Sequence, residues 1–314
     1  MSEEMKLGII GLGNMGGNLA LQAAEKGISV VGMARSSKPH LGRKGVKVAE
    51  SYEDLVDFLE PPRVVYLSLP AGPTVDLILE NLVSHLDKGD VIVDGGNSFY
   101  LDSILREEDL SDLGIYFLDC GTSGGVEGAR KGACFMVGGR PEGAKVAEPI
   151  LKTLAVDGGY IYTGEPGSGH FVKLVHNGIE FGMVQAIGEG TALLKDSDFN
   201  LDLAKVFKNW THGSIIQGSL VELMAKSLEE KRFEDVPPYV EDTGEVNWLV
   251  HDAIEKEVPI PVITQAVMEL FKSRGKDGSA YRSIAMMRNG FGGHPFGPDA
   301  TIAQKRRSGR IEKI

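Results

Sequence analysis

Four residues in one apolar stretch are spaced to do acid–base chemistry on a common substrate. In the segment GHFVKLVHNGIEFGMVQA, residues 169–186, Lys173, His176, Asn177 and Glu180 recur at i, i+3, i+4 and i+7. At 100° per residue a helix gathers them into an arc of roughly 100°. Phe171, Val172, Leu174, Val175, Ile179 and Met183 fill most of the remaining surface. The plain alternative is a solvated face with a helical Lys–Glu pair. On a helix this apolar all round, burial is expected, and polar groups taken out of water need partners. Burial also disfavours the charged form of a lysine, and a neutral amine can act as a general base. Seven residues place Glu180 roughly 10 Å along the axis from Lys173, so a base and an acid can serve different carbons of one molecule.

Two glycine-rich loops can complete such a site. DGGNS (Asp94–Ser98) and DCGTSGG (Asp119–Gly125) each follow a strand-like run. Asn97 and Ser123 offer hydrogen bonds, and the amides of Gly124 and Gly125 can approach an anionic or hydroxylated substrate. For either loop alone, plain turn geometry is the favoured reading. In a doubly wound sheet, however, ligands sit beyond the carboxyl ends of strands, where both would lie.

The elements that must position these residues are legible from period and punctuation. Lys6–Ile10, Ser29–Met33, Val64–Leu69, Val91–Asp94, Tyr116–Leu118, Cys134–Val137 and Tyr160–Tyr162 read as strands, with helical patterns such as Met15–Lys26, Tyr52–Leu59 and Val75–His85 between them. That alternation implies a parallel sheet covered on both faces. After Gly164–Gly169 the chain turns mostly helical, broken at Pro237–Pro238, Pro259–Pro261 and Gly275–Ser279. The expected architecture is an N-terminal Rossmann-type α/β domain, residues 1–165, followed by an all-α domain for substrate and oligomerisation, residues 166–314. The basic tail KRRSGRIEKI reads as a mobile or partner-packing arm.

The first strand runs directly into Gly11-x-Gly13-x-x-Gly16 and then a helix. Such glycines allow a tight turn and let a pyrophosphate approach the helix N-terminus, so Gly11, Gly13, Asn14, Met15 and Gly16 are expected to hold a dinucleotide. The second strand ends in Met33-Ala34-Arg35-Ser36-Ser37 without the acid that an NAD site usually presents to the ribose. A guanidinium with two hydroxyls suits a 2′-phosphate. Arg35, Ser36 and Ser37 therefore point to NADP, with NAD possible.

Composition bounds the rest. The 314 residues carry 33 basic and 44 acidic side chains, a net −11, with 42% hydrophobic residues. An acidic chain is poorly suited to nucleic acid, and the mix is that of an ordinary soluble globular protein. Two cysteines, Cys120 and Cys134, argue against a disulfide scaffold or a cysteine zinc site, and no metal is expected. The acidic start does not resemble a signal peptide and no apolar run is long enough for a membrane helix, which leaves a cytoplasmic location as the expectation.

The motifs GLGNMG, LSLPAG (Leu67–Gly72), IVDGGNS, FLDCGTSGG, HFVKLVHNGIEFG and RNGFGGH (Arg288–His294), in that order, resemble the short form of the 6-phosphogluconate dehydrogenase family within the β-hydroxyacid dehydrogenases. The resemblance runs from Lys6 to His294. It implies oxidative decarboxylation of 6-phosphogluconate to ribulose 5-phosphate and carbon dioxide. Lys173 would be the base at the 3-hydroxyl, and Glu180 the acid that protonates carbon 1 of the enol. Asn97, Ser123, Gly124, Gly125, His176 and Asn177 would hold the sugar acid. Leu69, Pro70, Ala71 and Asn97 would face the cofactor, and Arg288 and His294 would come from a neighbouring subunit of a homo-oligomer. Many short forms resemble NAD enzymes, with an aspartate at the position of Ala34.

The sequence departs from the pattern in the GEVNW segment (Gly244–Trp248) and at two further positions. Phe181 and Leu270 stand where a tyrosine and an arginine for the substrate phosphate are implied. Arg288 remains, and Lys272, Arg274 or Arg282 could substitute. A dehydrogenase for a non-phosphorylated acid and a catalytically silent dinucleotide sensor are the competing readings. An intact Lys173/Glu180 pair speaks against the sensor.

Overall fold

The structure is a computed structural model that describes residues 4–36, 38–241, 243–275, 279–292 and 296–298. Ser37, His294 and the basic tail lie outside the described residues. The first half forms one eight-stranded sheet: β1 (Lys6–Ile10), β2 (Ser29–Met33), β3 (Val46–Val48), β4 (Val64–Leu67), β5 (Val91–Asp94), β6 (Tyr116–Ser123), β7 (Ala133–Gly138) and β8 (Ala155–Gly164). Their spatial order is β3-β2-β1-β4-β5-β6-β7-β8. Chain connections leave β1 in one direction and β4 in the other, so the crevice for a dinucleotide opens at the carboxyl ends of these two strands.

Strand residues alternate between two buried clusters, one on each face of the sheet. Leu7, Ile9, Val91 and Val93 point into one cluster, and Ile10, Val65, Leu67 and Ile92 into the other. Burial on both faces is why these strands read as continuous apolar runs. The expected all-parallel sheet needs one correction. β7 runs antiparallel to β6, with Ser123 opposite Cys134. The seven-residue helix Gly125–Lys131 and Gly132, at φ 143°, turn the chain back on itself. Four strands also exceed or fall short of their expected limits: β6 continues to Ser123, β7 spans Ala133–Gly138, β8 spans ten residues, and β4 stops at Leu67.

The second half is helical: Ser168–Lys195, Leu203–Trp210, Ser219–Glu230, Glu245–Glu255, Pro261–Ser273 and Ser279–Gly292. The 28-residue helix Ser168–Lys195 enters directly from the sheet. Leu174 on that helix packs with Val246, Leu249 and Val267 in a core of its own. No helix among the described residues is long and apolar enough to cross a membrane.

Candidate active site

The long helix sits on the sheet through glycines and a buried acid. A side chain on Gly169 would strike the carbonyls of Asp119 and Met136, and one on Gly138 would strike the Gly169 amide at 2.6 Å. The backbone of the helix therefore lies directly against β6 and β7. Asp119, at 1% exposure, accepts from the Gly167 amide at 2.8 Å and from the His170 amide at 2.7 Å. A carboxylate at a helix N-terminus satisfies orphan N–H groups and complements the helix dipole. One turn further on stands Lys173.

Lys173 and Asn177 are buried, while His176 and Glu180 keep about 40% and 45% of their side-chain surface. The helix is less enclosed than its composition implied. Ile179 and Met183 are each more than half exposed, so its apolar outer face is open rather than packed within this chain. Lys173 Nζ lies 3.3 Å from His176 Nδ1, and His176 Nε2 lies 3.1 Å from Ser123 Oγ. His176 Nδ1 is also 3.9 Å from a Glu180 oxygen. The i, i+3, i+4, i+7 stripe thus forms one connected row that reaches the loop after β6. Burial pushes the Lys173 amine below its ordinary value, against an opposing pull from Glu180 and then Glu245. Desolvation dominates, and it favours the neutral base.

The loops after β4 and β5 are drawn together beside this row. A side chain at Gly96 would meet the Leu69 carbonyl at 2.8 Å, and one at Gly95 would collide with the Tyr66 hydroxyl at 1.9 Å. Asp94, wholly buried, accepts from the Gly96 amide at 3.1 Å and the Ser98 hydroxyl at 2.6 Å. Its carbonyl lies 3.1 Å from His170 Nε2, and His170 Nδ1 is 2.7 Å from Ser103 Oγ. Arg106 donates to Asp76 at 2.7 Å and to the Gly72 carbonyl at 3.4 Å, with Nη1 3.8 Å from Asp94. One buried polar chain therefore ties the Leu69–Gly72 loop, the Gly95–Ser98 loop and the helix of Lys173. Asn97 lines the resulting cleft with Lys173, Asn177, Glu245 and Trp248.

At the other loop, Gly124 has a left-handed backbone, and space beside Gly125 is open. Arg288 lies exposed on Ser279–Gly292 and does not line the cleft around Lys173. Nothing in the described residues places His294. Sequence reasoning passed over Asp119, Arg106, His170 and Glu245. His170 stands three residues before Lys173 and so extends the same stripe, a signal that was present. Arg106 carried none, since it sits in an ordinary charged helix.

The fingerprint fits a dinucleotide. Gly11, at φ 99°, and Gly16 are pressed against Ser68 and the Gly11 carbonyl, where any side chain would clash. Gly13, which caps the helix Asn14–Glu25, faces open space. The two packed glycines hold the turn, and the open one leaves room for a pyrophosphate at the helix N-terminus. Arg35 and Ser36 are exposed at the end of β2. From Ala34 to Val48 the chain carries Arg35, Lys38, Arg43, Lys44 and Lys47 and no acid. No group of acids, histidines and cysteines among the described residues could hold a metal.

Comparisons with known proteins identify the family. Residues 6–164 match the family model for the NAD binding domain of 6-phosphogluconate dehydrogenase, and residues 169–295 match that for its C-terminal domain. An NAD(+)-dependent, decarboxylating 6-phosphogluconate dehydrogenase of Haloferax volcanii is 40% identical over 92% of this chain and 98% of its own. An NADP(+)-dependent one from Bacillus subtilis is 37% identical over 87% of this chain, which covers 62% of that longer protein. The Plasmodium falciparum 6-phosphogluconate dehydrogenase structure superposes with a TM-score of 0.79 at 30% identity, covering 94% of this chain and 66% of that one. With both halves matched and near-complete overlap with a short relative, the chain belongs to the 6-phosphogluconate dehydrogenase family of dinucleotide-binding oxidoreductases.

Proposed function

We propose that the protein oxidises and decarboxylates an aldonic acid of the 6-phosphogluconate type, with NADP as the preferred acceptor. The observation that carries this reading is a buried, desolvated Lys173 on the same helical stripe as a partly exposed Glu180. Neutral Lys173 takes the proton of the hydroxyl β to the carboxylate. Gly11, Gly13, Asn14, Met15 and Gly16 would hold the dinucleotide, with Leu69, Pro70 and Ala71 beside it, and that group would supply the acceptor for the hydride on the same carbon. The β-keto acid then loses carbon dioxide, its bonding pair moving into an enol. Lys173 returns its proton to the carbonyl oxygen as that enol forms. Glu180 in its acid form then protonates carbon 1 while the enol's hydroxyl proton passes back to Lys173, and solvent carries a proton from the lysine back to Glu180. Ser123, the Gly124 and Gly125 amides, His176, Asn177 and Asn97 hold the carboxylate and nearby hydroxyls.

This assigns residues 1–165 to the dinucleotide and 166–314 to substrate and assembly, in a cytoplasmic homo-oligomer. Tyr281, Met286 and Met287 are each at least 60% exposed on the helix Ser279–Gly292. An apolar face of this kind supports association with a second copy. Arg288 and His294 would then complete the neighbour's site. The deciding experiment is an activity matrix, NAD and NADP against gluconate and 6-phosphogluconate, with reduced cofactor and carbon dioxide both measured. Oxidation without stoichiometric carbon dioxide would reject the decarboxylase reading.

A further inference from the structure

The helix Glu245–Glu255 turns one face toward the cleft and is fastened to the sheet-bearing half of the chain by that same face. At 100° per residue Glu245, Trp248, Asp252 and the capping Lys256 fall within an arc of about 80°. Glu245 and Trp248 line the cleft with Lys173, Asn177 and Asn97. Asp252 follows Trp248 by one turn and is 6% exposed. A carboxylate taken this far out of water needs partners, and it has two. The Tyr100 hydroxyl donates to it at 2.7 Å, and Lys256 closes an ion pair with it. Lys256 Nζ also donates to the Tyr100 oxygen at 3.5 Å.

Three elements of the site meet at Tyr100. It follows Asn97 by three residues and opens the helix Tyr100–Ser111. Its ring meets that of Phe171, two residues before Lys173, edge-on with centroids 5.2 Å apart. The adjacent Phe99 packs against the Trp248 ring at 5.1 Å. Lys256 Nζ stands 5.9 Å from both the Tyr100 and the Phe171 ring, within cation–π range. Ring packing alone is non-directional and would let the helix Glu245–Glu255 slide along its neighbours. A short hydrogen bond to a charged group has a narrow geometry and fixes the register. The bond between Tyr100 and Asp252 spans 152 residues of sequence.

We infer that Tyr100 and Asp252, braced by Lys256, are positioning residues that set the wall of Glu245 and Trp248 against the Asn97 loop and the Lys173 helix, and so govern how the sugar acid is seated. The inference rests on the aldonate reaction proposed above and adds residues to it. It is tested on full-length Asp252→Ala, Tyr100→Phe and Asp252→Asn in a Trp210→Phe background, where Trp248 is the remaining tryptophan. For Asp252→Ala the KM for 6-phosphogluconate should rise about tenfold or more, the scale of a lost hydrogen bond to a charged group. The KM for the dinucleotide should stay unchanged, and Trp248 emission should shift to the red. Tyr100→Phe should show the same pattern, and the double variant should be little worse than Asp252→Ala, because both changes remove one interaction. Asp252→Asn keeps an acceptor for the Tyr100 hydroxyl and should recover most of the acid KM. An acid KM unchanged in Asp252→Ala and Tyr100→Phe overturns the inference, whatever happens to stability or emission. So does an equal rise in the KM for the dinucleotide, which would mean general loosening of the fold. Failure of the wild type to turn over any aldonate would sink the reaction by itself. Calorimetric titration of 6-phosphogluconate into wild type and variants then decides the positioning role, and equal affinity across the set, absence of binding included, overturns it.

Discussion

Gly121 on β6 faces Lys173 so closely that a Cβ on the glycine would lie 2.4 Å from the lysine's own Cβ. Lys173, the proposed base, therefore springs from a helix in direct contact with a strand, at a distance only a missing side chain permits. Gly121→Ala must push Lys173 outward or bend β6. Overpacking of this kind costs about 1–3 kcal/mol, and a base displaced by about 1 Å can lose about 10²-fold in rate. The expected outcome is a kcat down by about that factor with a modest fall in thermal stability. Wild-type turnover in a folded Gly121→Ala enzyme would show that the contact does not set the base.

Lys173 itself should be a stability defect below its ordinary pKa. Burial lowers the amine from its usual 10.5, so the folded chain binds that proton more weakly than the unfolded chain. The penalty is full at pH below the folded value and fades as pH rises toward 10.5. Lys173→Met should then be more stable than wild type at neutral pH, with the gap narrowing in alkaline buffer. Its activity should fall by about 10²–10⁴, typical of a lost general base. Denaturant midpoints across pH, together with initial rates, check both halves. A gap that widens with pH would mean the lysine is charged and paired in the folded protein.

The fold was largely legible because its signals are local. Seven strands and a glycine fingerprint announce themselves in short windows. The three-residue β3, with Lys47 at its centre, is too brief to show a period. The reversal of β7 depends on Gly132 and a seven-residue helix, a choice of direction that no residue pattern encodes. The stripe of Lys173, His176, Asn177 and Glu180 was legible because helical spacing gathers it. Asp119, Arg106 and Glu245 come from other elements, and their roles arise from long-range approach: Asp119 caps a helix 48 residues away.

Arg106 should act as a positioning residue for two loops at once. It holds Asp76 and the Gly72 carbonyl on the cofactor side and stands 3.8 Å from buried Asp94, whose loop carries Asn97. Removing one partner of a buried charge pair costs about 3–5 kcal/mol. Arg106→Met should lower stability on that scale and raise the KM values for dinucleotide and acid together, with a smaller effect on kcat. Arg106→Lys, which keeps the charge without the fork, should recover part of the stability and less of the two KM values. A stability loss with both KM values unchanged would reduce Arg106 to a purely structural support.

Arg35 is expected to decide between the two cofactors. It lies exposed at the end of β2, in a segment with four lysines and arginines besides itself and no acid. The adenosine 2′-phosphate would sit there, with Ser36 donating to it. Charge-assisted hydrogen bonds contribute roughly 1.5–3 kcal/mol each. At about 1.4 kcal/mol per factor of ten, Arg35→Ala should weaken NADP by about 10- to 150-fold and scarcely alter NAD. Ala34→Asp goes further, since a carboxylate there repels the phosphate and accepts from the ribose hydroxyls, moving the preference toward NAD. Dinucleotide titrations with both variants check the assignment. The Haloferax volcanii relative is named as NAD(+)-dependent, so the opposite result has a concrete form: NAD used at least as efficiently as NADP, with Arg35→Ala harmless to both. That would leave the basic segment without a phosphate to bind, and Arg35 as a solvated end of the strand.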